Sequence, residues 1–350
     1  MAGGGVNASD ARGANQGGAP STNAQGTGDA HAPGTRGTHG AQTDVRGAYT
    51  GRTPRPGAVV EVAAAAKINL GLLVGPLRSD GFREIFSPML PVPLAVECAV
   101  APGEDNLAAR VVRELERRLE RTFDVSLSIA KRVPAAAGLG GGSSDAAAAL
   151  TAVDRLFALD LPVRLRYEVA GAVGSDVPFF LWPGPQLAMG RGTVLKEIEL
   201  PEPLHVVIAL PGLALATADV YRWFGERPGA ERTALAERKA FVERTQTLVT
   251  RLGVARRPRD LAAVVGNDLE GPVVARHTAI GELKARLGGA GAFAAAMSGS
   301  GSSVFGLFGS AASAQRALAA LAPTSAVYVT DLQPGAAPAG RSRSGPRSAR

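Results

Sequence analysis

The sequence has almost no cysteine and no long apolar run, and both absences narrow the class of protein. Cys98 is the only cysteine among 350 residues, so no disulfide can form within the chain. This composition is typical of a reducing compartment and predicts a cytoplasmic protein in which Cys98 is a buried small side chain. No stretch reaches the about 18 apolar residues that a membrane-spanning helix needs, and the N-terminus lacks a secretory layout. We therefore expect no membrane partner.

Lysine is also scarce, with five among 38 basic residues. No lysine follows a glycine, which excludes the Gly-Lys-Ser/Thr sequence of a Walker A phosphate loop. A Rossmann Gly-x-Gly-x-x-Gly fingerprint that starts at Gly138 fails, because its last position is Ser143. The His-Arg-Asp and Asp-Phe-Gly markers of protein kinases are absent as well. The common nucleotide-binding motifs therefore do not explain this chain.

Acidic residues are few at the two ends of the chain, and this affects how its net charge of +7 is interpreted. Residues 334–350 contain four arginines and no acid, namely Arg341, Arg343, Arg347 and Arg350. Residues 1–57 are rich in Gly, Ala, Thr, Asn and Pro and cannot bury enough apolar surface to fold. We predict that both tails are disordered and expect no nucleic-acid partner, although the basic tail leaves that alternative open.

Between the tails, the pattern of apolar residues predicts an α+β protein with domains over 58–200 and 201–333. Strands are predicted over 58–74, 95–101, 125–133, 204–212 and 326–332, and prolines interrupt the segment 79–94. Helices are predicted over 107–121, 216–224, 280–287 and 313–322, with Thr217 as the N-cap of the second.

The segment 134–150, PAAAGLGGGSSDAAAAL, is a glycine-rich loop that leads into an alanine-rich helix. Ser143, Ser144 and Asp145 occupy the predicted capping region of that helix. Unpaired N–H groups and the positive end of the helix dipole favour an anion at such a place, such as a nucleotide phosphate. A flexible turn before a helix is the alternative interpretation.

Two charged residues lie in apolar surroundings. Lys67 falls inside an apolar strand pattern, where it is either buried beside an anion or located at the edge with its amine in water. Asn69 is two residues further on and shares its face of the strand. Asp176 precedes Val-Pro-Phe-Phe, which indicates either a structural cap or ion pair, or a catalytic base.

Several short motifs in this order resemble the GHMP kinase superfamily. They span most of residues 62–309 and are Ala66-Lys-Ile-Asn-Leu70, Asp80-Gly-Phe-Arg-Glu84, Glu104-Asp-Asn-Leu107, Lys131-Arg-Val-Pro134, the glycine loop, Gly174-Ser-Asp-Val-Pro178, Asn267-Asp-Leu-Glu270 and Met297-Ser-Gly-Ser-Gly-Ser-Ser303. The resemblance implies a ribosomal-protein-S5-like N-terminal domain, a ferredoxin-like C-terminal domain, and ATP with Mg²⁺ as cofactors.

The resemblance also implies a role for each site residue. Asp176 would be the catalytic base with Lys67 beside it, and Ser144 a ligand of Mg²⁺. The ATP phosphates would lie on Pro134, Ala135, Ala136, Ala137, Gly138, Leu139, Gly140, Gly141, Gly142, Ser143 and Ser144. The substrate would contact Asn69, Phe82, Arg83, Tyr221, Ser298 and Gly299. The implied acceptor is the 2-hydroxyl of a cytidine-diphosphate-linked methylerythritol, an intermediate of the non-mevalonate isoprenoid route, and the implied protein is a monomer or homodimer.

The chain departs from the family pattern at two places. Phe82-Arg83 replaces Tyr-His in the Asp-Gly-Tyr-His motif, so base recognition by a histidine is lost here. The segment between Phe86 and Glu104 is shorter than usual, as if a hairpin were missing. Two alternatives follow, a GHMP kinase with a different small-molecule acceptor and a nucleotide-binding relative without catalysis. The presence of both Lys67 and Asp176 argues against the second.

Overall fold

A computed structural model describes residues 51–93, 106–129, 136–227 and 233–321, together with the backbone of 326–332. Several predictions lie outside these residues: the disorder of 1–50 and 334–350, the strand over 95–101, the burial of Cys98, and the places of Pro134 and Ala135. No helix within the described ranges has the length and apolar character needed to cross a membrane.

The described elements are short strands and helices that follow one another in groups, beginning with three strands and then three helices. The strands are β1 (Ala66–Asn69), β2 (Gly71–Leu77), β3 (Arg83–Val92), β4 (Gln186–Gly190), β5 (Val194–Glu197), β6 (Leu204–Leu210), β7 (Gly266–Asn267), β8 (Ala294–Met297), β9 (Val304–Phe308) and β10 (Ala326–Leu332). The helices are α1 (Leu107–Leu119), α2 (Gly141–Phe157), α3 (Val163–Val173), α4 (Thr217–Gly225), α5 (Ala234–Val254), α6 (Glu270–Val274), α7 (Thr278–Gly289) and α8 (Ala311–Leu321).

Among the described strands, the first sheet has the order β5-β4-β3-β2-β7, and β1 also pairs with β3. Only the β2–β7 pair is parallel. Strand β3 continues through Pro88 and Pro91, where the sequence predicts interruption. Pro91 lies opposite Lys67, whose own N–H points away from β3 to the carbonyl of Leu139 at 2.9 Å. This pair exchanges no hydrogen bonds, so the missing N–H of Pro91 costs nothing on that side.

The second sheet is antiparallel with the order β10-β6-β9-β8 among the described strands. If the four strands of this sheet are numbered along the chain as β6, β8, β9 and β10, their spatial order is fourth, first, third and second. With helices between the first and second strands and between the third and fourth, this is the ferredoxin-like arrangement that the sequence resemblance implies. Strand β7 belongs to the same half of the sequence but pairs with β2 of the first half. The first sheet therefore contains residues from both sides of the predicted domain boundary at residue 200. The exact boundary stays a prediction.

Successive side chains of a strand point to opposite faces of its sheet and so enter different parts of the core. In β6, Val206 and Ile208 pack into a cluster shared with β1 and β3, whereas Val207 and Ala209 face the helices α4, α7 and α8. Helices α1, α2 and α3 form a third cluster of their own. Helix α1 matches its prediction, with Val111, Leu115 and Leu119 buried and Asn106 as its N-cap.

Three further local predictions are wrong. Residues 58–65 form no strand, and Val59 is largely exposed. Residues 125–129 form no strand either, and Leu127 is exposed there, so the alternating apolar face is not fully buried. The rest of that predicted strand, 130–133, lies outside the described residues. Thr217 is not the N-cap of α4, which is Ala216, and its hydroxyl instead lies 2.9 Å from the hydroxyl of Ser300.

Candidate active site

Strand β1 presents Lys67 and Asn69 on the face opposite the core residues Ala66 and Ile68. Both polar side chains are buried, each with 4% of its surface exposed. The Nζ of Lys67 donates a hydrogen bond to Oδ1 of Asn69 at 2.6 Å, and Nδ2 of Asn69 donates to Oγ of Ser87 at 2.8 Å. Lys67 is therefore a buried amine with polar partners, which decides between the two interpretations of its sequence position.

Asp176 completes this group. It lies in a turn before the short 3₁₀ helix Pro178–Leu181, whose buried Phe179 anchors the segment. Its Oδ2 is 3.4 Å from Nζ of Lys67, and its side chain keeps 35% of its surface exposed. A carboxylate fixed on one side by a buried ammonium and open on the other can accept a proton from a bound hydroxyl.

The glycine loop leads directly to the N-terminus of α2. Gly140 is the N-cap, with a φ of 72° and without a side-chain capping hydrogen bond. The predicted capping residues Ser143, Ser144 and Asp145 lie inside the helix, so that part of the sequence prediction is wrong. The left-handed backbone at Gly140 starts the helix one turn earlier than a serine cap would. The first-turn N–H groups are therefore not capped by a side chain.

A second loop, 298–303 between β8 and β9, packs directly against the glycine loop. Oγ of Ser298 donates to the carbonyl of Gly138 at 3.2 Å and accepts from N–H of Asn69 at 3.3 Å. The N–H of Ser303 donates to the carbonyl of Ala137 at 3.1 Å. A Cβ on Gly138 would be 2.1 Å from the carbonyl oxygen of Ser298, so only glycine permits this contact.

Gly299 brings the second loop onto the charged group. A Cβ built on Gly299 would be 3.1 Å from both Nζ of Lys67 and Oδ1 of Asn69, and its φ is 55°. The structure thus brings together four separate segments of the sequence, which carry Lys67, Asn69, Gly138, Asp176, Ser298 and Gly299.

The other predicted substrate contacts, Phe82, Arg83 and Tyr221, lie around β3 and α4. Phe82 is 46% exposed, and the guanidinium of Arg191 lies 5.1 Å from its ring centre. Arg83 forms an ion pair with Glu237 at 2.9 Å and stacks on Phe224 at 5.2 Å. Arg83 is therefore already held by protein groups.

Tyr221 is the third of these predicted contacts. Burial raises the pKa of its phenol well above the usual range, the negative charge of Asp176 raises it further, and the positive charge of Arg83 opposes them. The phenol is thus within electrostatic reach of both the carboxylate and the arginine.

Sequence reasoning missed several residues that shape the site. Phe180 packs under the glycine loop, since a Cβ on Gly140 would be 2.9 Å from its ring. Arg191 and Glu237 contact the predicted acceptor residues, while Asn267 and Glu270 hold the second loop. Of these residues, Asn267 and Glu270 belong to a motif that the sequence analysis uses. That motif indicates the family, and it does not predict a contact with the second loop.

The oxygen donors near the glycine loop fit a metal ion that arrives with a nucleotide. Ser144, which is buried, and Asp145 lie in the first turn of α2. Within the described ranges, no group of three or more acidic, histidine or cysteine side chains could hold a metal by itself. Magnesium prefers oxygen ligands and commonly takes several of them from phosphates, so this sparse donor set is compatible with it.

Comparison with known proteins matches two family models. The model of the GHMP kinases N-terminal domain matches residues 106–184, and that of the GHMP kinases C-terminal domain matches residues 252–324. The 4-diphosphocytidyl-2-C-methyl-D-erythritol kinase of Anaeromyxobacter dehalogenans is 40% identical over 267 residues, which cover 69% of this chain and 78% of the relative. That of Pelotomaculum thermopropionicum is 36% identical, with 75% and 93% covered.

Solved structures agree with the sequence relatives. A crystal structure of 4-(cytidine 5'-diphospho)-2C-methyl-D-erythritol kinase is 32% identical, with a TM-score of 0.60 and coverage of 76% of this chain and 96% of that one. Homoserine kinase from Cytophaga hutchinsonii, at 19% identity and a TM-score of 0.53, shares the fold. The chain therefore belongs to the GHMP kinase family.

Proposed function

We propose that this protein is an ATP-dependent kinase that phosphorylates the 2-hydroxyl of 4-diphosphocytidyl-2-C-methyl-D-erythritol. The observation that carries the proposal is the half-exposed carboxylate of Asp176, held 3.4 Å from the buried amine of Lys67. Lys67 in turn is tied through its backbone to Leu139 in the glycine loop. The relatives that bear this enzyme's name support the choice of acceptor.

The phosphates of ATP would lie on the glycine loop, residues 134–144. The uncapped first turn of α2 offers N–H groups and the positive end of the helix dipole, which together favour a polyanion. Bound Mg²⁺ would neutralise phosphate charge, with the oxygens of Ser144 and Asp145 as the protein groups near it. Gly138 and Gly140 let this loop pack closely, because a Cβ there would clash with the second loop and with Phe180 respectively.

The chemistry then needs a base and fixed geometry. Asp176 would take the proton of the 2-hydroxyl as that oxygen forms its bond to the γ-phosphorus and the bond to the leaving ADP breaks. Lys67 would hold the carboxylate in place through their ion pair, and Asn69 would hold Lys67. Because Lys67 is buried and hydrogen-bonded to Asn69, it would orient the carboxylate of Asp176 before substrate binds.

Recognition of the acceptor would involve Phe82, Arg83, Tyr221, Ser298 and Gly299. The exposed ring of Phe82 is suited to stacking on a cytosine. Arg83 has two of its contacts taken by Glu237 and the carbonyl of Gly75, so any contact with substrate would use its remaining N–H groups. Action in the cytoplasm and a monomeric or homodimeric state stay predictions.

A coupled ADP-release assay tests the proposal. The purified protein is offered the cytidine-linked substrate, mevalonate, homoserine and galactose, each with ATP and Mg²⁺. We expect turnover of the first and none of the others. Turnover of another acceptor alone would point to a GHMP kinase of different specificity, and turnover of none would overturn the kinase assignment.

The role of the base is tested separately with Asp176→Asn. This change removes the proton acceptor but keeps the shape, so kcat should fall by at least about 1000-fold. The Kd for ATP, measured by calorimetry, should stay within about threefold, because Asp176 lies beside Lys67 and not in the phosphate loop. Asp124→Asn, at an exposed carboxylate, is the matched control. Substantial residual turnover by the Asp176 variant would show that another group is the base.

A further inference from the structure

The loop that carries Ser298 and Gly299 is hydrogen-bonded to the motif Asn267–Glu270. No residue of this motif is among the predicted substrate or ATP contacts. The carboxamide of Asn267, in β7, donates from Nδ2 to the carbonyls of both Met297 and Gly299, each at 2.8 Å. Its Oδ1 accepts from the N–H of Leu269 at 2.8 Å. One side chain thereby fixes the loop on both sides of Ser298.

Glu270 holds the same loop at its start. Its Oε2 accepts from the N–H of Met297 at 2.8 Å, while its Oε1 is paired with Lys284 of α7. The motif itself is joined to the first sheet, since Asp268 accepts from the N–H of Val74 at 2.8 Å through its side chain. The loop is thus located relative to both sheets by side chains of residues 267–270.

We propose that Asn267 is a positioning residue for the phosphoryl-transfer site. It fixes Ser298 and Gly299, and through them Asn69 and Lys67, without contact with ATP or acceptor. This inference rests on the kinase activity proposed above.

The contacts specify an amide at position 267. Two carbonyl oxygens face Nδ2, so the group there must be a donor, and the N–H of Leu269 requires an acceptor on the other atom. An ionised carboxylate has the same shape but only acceptors, and it would repel both carbonyls. A protonated carboxyl restores one donor. Asn267→Asp should therefore be defective when ionised and partly repaired when protonated.

The kinetic test compares Asn267→Asp with the wild type between pH 6 and 8.5. At pH 8.5 we expect kcat/KM for the acceptor to fall by about 10- to 100-fold, because small displacements of reacting groups have effects of this size. The Kd for ATP should change by less than about threefold, since the glycine loop keeps the hydrogen bonds that its carbonyls at Leu139 and Ala136 accept from Lys67 and Leu215. The two carbonyl oxygens and the neighbouring carboxylates of Asp268 and Glu270 should raise the pKa of the introduced carboxyl above its ordinary value of about 3.9, so the ratio of variant to wild-type kcat/KM should rise towards the acidic end of the range. Gln315→Glu, which adds a carboxylate on an exposed face of α8, is the charge control.

A wild-type kcat/KM, or a loss of ATP affinity in proportion to the loss of rate, would overturn the proposal. If Asn267→Asp does not fold, Asn267→Ser takes its place for the comparison of kcat/KM with ATP affinity.

A second readout does not depend on turnover. Amide hydrogen exchange of residues 297–301 in the ligand-free protein should become faster in Asn267→Ser, while that of β9 stays the same. Unchanged exchange in the loop would contradict the positioning role. If the wild type shows no kinase activity but exchange is still faster in Asn267→Ser, Asn267 fixes the loop as proposed, and it is the proposed function that is rejected.

Discussion

Gly138 is the residue at which the two loops of the site come closest. Its backbone has a φ of 74°, and the space that a Cβ would need is occupied by the carbonyl oxygen of Ser298 at 2.1 Å and by backbone atoms of Gly301 at 2.9 Å. These are backbone neighbours that hydrogen bonds hold in place, so they cannot swing away as a flexible side chain could. The close approach of the loops therefore requires a glycine at position 138.

Gly138→Ala should destabilise the protein by about 2–4 kcal/mol, through the cost of a left-handed alanine and the displaced loop. Calorimetric melting measures the loss. Gly142→Ala is the control within the same segment, because its Cβ would meet only the side chain of Leu107 at 3.5 Å, and it should stay within about 1 kcal/mol of the wild type. Melting of Gly138→Ala at the wild-type temperature would show that the loops separate easily.

The chemical type of the site residues could be predicted from the sequence, but their connections could not. Lys67 and Asp176 stand out because charged residues are rare in apolar segments. The hydrogen bond from Asn69 to Ser298 joins residues 229 positions apart, and that from Asn267 to Met297 joins residues 30 apart. No local pattern reports such pairs, since they are set by how the two sheets pack.

At the scale of elements, helix α1 is linked to α3 by a chain of charges. Glu114 pairs with Arg117 at 2.8 Å and with Arg118 at 2.7 Å, and Arg118 also pairs with Glu168 of α3 at 3.0 Å. The hydrogen bond from Arg117, with that from Arg118, lowers the pKa of Glu114 from 4.5 to about 2. Because the folded pKa lies below the unfolded one, Glu114 stabilises the fold above pH 4.5, and this contribution is lost as the pH falls towards 2.

Glu114→Gln should therefore lower the free energy of unfolding at pH 7 by about 1 kcal/mol, the upper range for partly exposed ion pairs. Urea denaturation at pH 7, 4.5 and 3 should show the difference from the wild type shrinking as pH falls. Glu61→Gln, at an exposed residue before β1, serves as control and should show no such trend. A difference that is constant over this range would mean that Glu114 acts through packing and not through its charge.

Helices were easier to predict than strands, and the reason is physical. Helix α1 carries its own signals, an Asn106 cap and apolar residues one turn apart, so its bounds follow from local sequence. A strand needs a partner strand, and that partner is often far away in sequence. Residues 125–129 alternate like a strand but form none, while β3 keeps its ladder through Pro91 because the partner Lys67 directs its N–H elsewhere.

For the whole molecule, the net charge of +7 overstates how basic the folded part is. Residues 334–350 supply four arginines and no acid. The long-range attraction of the protein for polyanions should therefore come largely from this tail, and not from the kinase domains.

Deleting residues 334–350 should make the protein elute from heparin at lower salt and should remove any salt-dependent binding to DNA that the full chain shows. The kcat/KM for the acceptor should stay within about twofold, because no site residue lies there. Deleting residues 1–50 is the matched control, since that segment contains three arginines and three aspartates and its loss leaves the net charge unchanged. DNA binding that survives the C-terminal deletion would place a nucleic-acid surface on the folded part.

The contact between Ser298 and Gly138 spans 160 positions of the chain, and this has a consequence for synthesis on the ribosome. A nascent chain that has reached residue 290 already contains Lys67, Asp176 and the whole glycine loop, but it lacks the second loop and strand β9. The first half can begin to fold as it emerges, yet the site is completed only when the last quarter of the chain leaves the exit tunnel. Products of stalled translation should therefore be inactive even when most of the catalytic groups are present.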